Sequence, residues 1–166
     1  MNKFIIMLFL IATQCSSIAD NINWIDKTFR KNKWENIHTI VKNPKEASSL
    51  VRKTIIYKED LGDEWKNGEQ TWDSGFGDCE DIAITIMELL NKINVTSTLF
   101  IMHPKNSIYG HVVLIGEWEN KKWMSSNGFF YRIKNIEHAK IIVQKEMLWR
   151  NKEIIYEEWK DYYNQK

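Results

Sequence analysis

The chain has 166 residues, 43% of them hydrophobic and 13% aromatic, enough for one real core and unlike a disordered or fibrous protein. Its 23 basic and 22 acidic side chains leave a formal charge of +1, which excludes a field strong enough to argue for nucleic acid or an anionic membrane as partner. No oligomer signal is present, and a monomer is expected.

Asn2 and Lys3 precede an apolar run from Phe4 to Ala12 and a small, polar stretch ending in Ser17-Ile18-Ala19. This is the pattern of a secretory signal peptide. Cleavage after Ala19 makes residues 1–19 the leader and Asp20 the first mature residue, and the protein is then periplasmic or extracellular, with no stable membrane insertion. A membrane anchor is the alternative, but the run falls short of the roughly 20 residues that span a bilayer; a lipoprotein would use Cys15, against which the bulky Gln14 stands. Losing the leader removes Cys15 and leaves Cys79 as the only cysteine, so no internal disulfide forms. A lone thiol in an oxidising compartment is either buried and inert or kept for its chemistry.

Residues 20–166 read as a single α+β domain with its core at about 44–133. Asn21 to Trp34 is an aromatic, basic arm. Asn43-Pro44 marks a helix start, asparagine as N-cap and proline in the first turn, running toward Ile56. Tyr57 to Gly77, with four glycines among acids and tryptophans, has no sustained period and reads as a loop layer. From Glu80 the apolar residues Ile82, Ala83, Ile84, Ile86, Met87, Leu89, Leu90 and Ile93 form a broad helical face, so this helix is expected to be largely buried. Strands follow at Ser97–Met102, His111–Trp118, Lys122–Ser125 and Phe129–Ile133, separated by turn signals at Pro104-Lys105-Asn106, Glu119-Asn120 and Asn127-Gly128. The charged, aromatic tail at 135–163 is assigned to one or two peripheral helices.

The chemistry concentrates at the start of the buried helix. A cysteine is nucleophilic as thiolate, and a helix N-terminus or a nearby imidazolium lowers its pKa. Cys79 has the first: Gly77 permits a tight approach, Asp78 can cap, and free amides of the first turn face the sulfur. An inert buried cysteine is the plain alternative, weakened by the flanking Asp78, Glu80 and Asp81. Of the four histidines, His111 opens a strong strand after Gly110 and is the candidate base, although a histidine at a strand end is often only structural. Asn127 is the candidate orienting group, its carbonyl accepting the imidazole N–H; Asn-Gly is equally a favoured hairpin turn. Gln70 and Trp72 are candidate oxyanion donors beside the Cys79 amide.

At these residues the chain resembles the bacterial transglutaminase-like cysteine proteinases, within the wider transglutaminase-like and papain-like group. Gly77-Asp78-Cys79-Glu80-Asp81-Ile82-Ala83 matches the family pattern Gly-Asp-Cys-Glu-Asp, one residue, then Ala. Ile55-Ile56-Tyr57-Lys58-Glu59-Asp60, Glu69 and Gly110-His111-Val112-Val113-Leu114 are similar to further segments, so the resemblance runs from Ile55 to Ile133. It implies a cysteine-bearing helix packed on an antiparallel sheet, Cys79 as nucleophile and His111 as general base. Its third member is an aspartate, often within Leu-Asp-Asn, where this chain offers Ser126-Asn127. Either Asn127 completes the triad, or Ser126 replaces the aspartate and the orienting carboxylate is gone.

No cofactor is required by this reading. Asp78, Glu80 and Asp81 supply the hard oxygens calcium prefers, and some of the similar proteinases bind calcium beside the cysteine; Asp60, Asp63 or Asp73 would have to complete the shell. The carboxylates equally suit a helix N-terminus. The expected function is hydrolysis of a peptide or isopeptide bond in a protein or peptide substrate through an acyl-enzyme. A catalytically impaired binding module and an amine acyltransferase are the alternatives.

Overall fold

The computed structural model describes residues 33–60 and 64–159. The expected leader, most of the N-terminal arm, Asp63 and the end of the tail lie outside the described residues. Among the described residues no helix is long and apolar enough to cross a membrane.

Helix α1 (Trp34–Ile37) and a short 3-10 turn lead to α2 (Pro44–Thr54). Asn43 caps α2 by accepting from the Glu46 amide, with proline in the first turn, as the sequence signature requires. The segment expected as loop contains more structure than that. Strand β1 (Ile56–Tyr57) pairs in parallel with β2 (Phe76–Gly77), and between them lies α3 (Gly68–Ser74). Asn67 and Gln70 close a capping box at the start of α3, and Gly75, at φ 72°, ends it. Seven residues are too few to show a helical period, which is why the sequence pattern does not display this helix.

Helix α4 (Cys79–Lys92) is buried on nearly every side from Glu80 to Leu90. It packs against α2, α3 and strands β3 (Ser97–Pro104), β4 (His111–Trp118) and β5 (Lys121–Ser126). With β6 (Phe129–Arg132) these strands form the expected antiparallel meander. Both tight turns carry two residues at positive φ, Glu119-Asn120 at 53° and 58° and Asn127-Gly128 at 46° and 75°, the backbone that matches strand twist in two-residue hairpins. Gly128 is doubly constrained, since a Cβ there would come within 2.6 Å of the Arg52 Cβ.

The tail departs from the expectation of helices alone. Helix α5 (Ile136–Glu146) forms, but Ile154–Trp159 is a strand, β7, paired antiparallel with β3. The sheet order is therefore β6-β5-β4-β3-β7. Ala139 and Val143 of α5 join Met102, Val113, Met124, Ile133 and Ile154 in one core cluster. Leu99, Leu114 and Trp123, on the other face by strand alternation, are no more than 1% exposed, so apolar packing covers both faces. The fold is α+β, with the cysteine-bearing helix on an antiparallel sheet.

Candidate functional site

The chain reaches Cys79 along a constrained path. Register pairing of Tyr57 with Gly77, and the 2.9 Å bond from the Lys58 amide to the Gly77 carbonyl, fix the backbone two residues upstream. A Cβ on Gly77 would sit 2.6 Å from the Asp81 Cβ, so only glycine lets the strand pass this close to the first turn of α4. Asp78 occupies the N-cap position, yet its side chain makes no capping hydrogen bond.

Cys79 is partly buried. Its S–H donates to Glu80 Oε2 at 2.9 Å, and the Val112 backbone N–H lies close enough to favour the thiolate. The sulfur is therefore close to the residue that follows His111 in β4. Burial, then the charge and hydrogen bond of Glu80, push the thiol well above the ordinary range, while the Val112 amide works weakly against them. Glu80 is itself raised to about 7, first by burial, and Asp78 is raised by burial and by the Asp81 charge.

His111 is 2% exposed, and its Nε2 lies 2.8 Å from Ser126 Oγ. Register explains the pairing: Val113 lies opposite Ser126, and His111, two residues earlier, is its diagonal neighbour on the same face. Burial alone lowers the imidazole to about 4. Among the described residues no carboxylate offsets that desolvation, so the ring is neutral at pH 7.

The third position differs from the expectation that Asn127 orients the imidazole. Asn127 forms the turn at φ 46°, and its Oδ1 is buried without a hydrogen-bond partner among the described residues; Ser126 holds the ring instead. The oxyanion candidates are also otherwise engaged. Gln70 is exposed and closes the α3 capping box, and Trp72 is 3% exposed, packed against Trp34 with ring centroids 6.1 Å apart.

Of the three acids expected to hold calcium, two gather. Asp78 and Asp81 meet Asp60, with one oxygen of each within 4.8 Å of the others, which is donor chemistry suited to calcium. Glu80 turns to the thiol instead, and Asp73 is exposed on α3. Lys66, which the sequence reading passed over, enters this cluster: its Nζ is 2.6 Å from Asp81 Oδ2 and 3.7 Å from Asp60 Oδ2. A lysine in an irregular acidic stretch carries no pattern that would have flagged it.

No family model matches the chain, and no curated protein does. Among solved structures, calcium-bound LapG of Legionella pneumophila is similar at a TM-score of 0.52 and 16% identity, covering 84% of this chain and 83% of that one. The same protein in its EGTA-treated form gives a TM-score of 0.49 and 18% identity over 67% of this chain and 74% of that one. The likeness to the calcium-bound form is one of fold, the transglutaminase-like arrangement.

Proposed function

We propose that the protein is an exported thiol hydrolase that cleaves a peptide or isopeptide bond through an acyl-enzyme on Cys79. One observation carries this: the sulfur at the start of the buried helix is close to the N–H of Val112, the residue that follows a buried imidazole hydrogen-bonded through its Nε2. In the resting site thiol and imidazole are both neutral, so attack is general-base catalysed. Rotation about the Cys79 side chain carries the sulfur from Glu80 toward His111, whose Nδ1 takes the thiol proton as the sulfur attacks the carbonyl. The oxyanion is met by the Cys79 backbone N–H at the start of α4, which has no partner within the helix ladder. His111 then gives its proton to the leaving amine, and water releases the acyl group.

Ser126 makes the site conditional. Nδ1 accepts a proton only when the N–H of the neutral ring is on Nε2, donating to Ser126 Oγ. A hydroxyl can also donate to Nε2, and that places the ring proton on Nδ1 and blocks the base. The family's carboxylate would accept only. This lost constraint, with the elevated thiol, favours a second reading, a catalytically impaired binding module.

Covalent trapping separates the two. A peptide vinyl sulfone at neutral pH is expected to add once, on Cys79, with no adduct on Cys79→Ala of unchanged circular dichroism. Equal labelling of both proteins, or no labelling of the wild type, removes the hydrolase reading.

A further inference from the structure

The geometry points to Lys66 as the resident cation of the carboxylate cluster, holding the turn into α4 together without calcium. Asp81 is fully buried, and Lys66 engages both of its oxygens: the backbone N–H donates to Oδ1 at 2.8 Å and Nζ to Oδ2 at 2.6 Å. The same ammonium faces Asp60 at 3.7 Å. One residue thus bridges the segment after β1 and the first turn of α4 with a main-chain bond and a charge together.

A divalent ion at this place would have to displace that arrangement. Calcium takes six to eight oxygens, whereas among the described residues the cluster offers the carboxylates of Asp60, Asp78 and Asp81, and Glu80 is spent on the thiol. The ammonium is covalently tethered, so it pays no translational entropy to arrive. Its side chain is 32% exposed while that of Asp81 is 0%, so the ammonium is the solvent-facing member of the pair. Asp81 buried without a counter-cation is costly, so the cluster needs one cation and the chain carries its own. The donor type therefore suits calcium while the position is filled.

Thermal unfolding of the purified protein, in EGTA and in millimolar calcium, tests this independently of any thiol chemistry, so its failure and that of the hydrolase reading are separable. The wild type is expected to melt at the same temperature in both buffers. Lys66→Met is expected to lose about 10 °C in EGTA and to regain most of it with calcium, whereas Lys66→Arg keeps a cation and stays near the wild type in both. A wild type stabilised by several degrees on adding calcium overturns the inference. So does a Lys66→Met protein as stable as the wild type in EGTA, or one whose loss calcium does not restore, which would make the role of Lys66 one of packing.

Discussion

Ser126→Asp is expected to speed alkylation of Cys79 at neutral pH by about 100-fold. The reason lies in the buried pair of His111 and Ser126, 2.8 Å apart. A carboxylate there accepts the Nε2–H and cannot donate to the ring, so Nδ1 is left with its lone pair toward the thiol. It also offsets the desolvation that lowers the imidazole to about 4, making an imidazolium tenable and, with it, a thiolate on Cys79. Ser126→Ala leaves the ring without its partner and is expected to slow the reaction. Alkylation rates with iodoacetamide, corrected for the folded fraction of each protein, provide the comparison. A Ser126→Asp rate equal to the wild type's would show that the imidazole held at this position does not govern the thiol.

Acid is expected to cost the fold about 3 kcal/mol through His111 alone as pH falls from 6.5 to about 4. The unfolded chain binds the imidazole proton below 6.5, while the folded chain, its ring at 2% exposure, binds it only near 4. The unfolded state therefore holds more protons throughout that window, stability falls with pH across it, and the loss levels off below it. Glu80 acts in the opposite sense. Raised from 4.5 to about 7, it ionises first in the unfolded chain, so its contribution declines as pH rises through that range. Urea unfolding at a series of pH values should show the acid loss in the wild type and its disappearance in His111→Gln. An unchanged acid limb in the variant would mean that the ring is not buried in its neutral form.

The parts of the fold legible in the sequence are those whose period is long. Ile82 to Leu90 is apolar on almost every side, and the helix is buried accordingly. The meander announced itself by alternation and by two turn pairs that take positive φ. Strand β7 was hidden because Ile154–Trp159 includes Glu157 and Glu158 and is only partly buried, and because its partner β3 lies some fifty residues upstream; an edge strand held by long-range pairing has a weak local signature. The site was legible to the same degree. Gly77 to Ala83 placed the cysteine at the helix start, but choosing Ser126 over Asn127 needs a register known to one residue, and a slip of one reverses every side chain. Where a carboxylate turns is likewise decided in three dimensions: Glu80 and Asp81 are neighbours in sequence, yet one meets the thiol and the other Lys66.

The central claim is spatial, that the Cys79 sulfur can reach the His111 imidazole. Dibromoacetone, whose two reactive carbons flank a ketone, tests it by bridging a thiol to an imidazole close beside it. Peptide mapping by mass spectrometry is expected to find Cys79 and His111 joined in one intramolecular cross-link, absent from His111→Gln. Cys79 alkylated at one end only, with His111 unmodified, would contradict the claim.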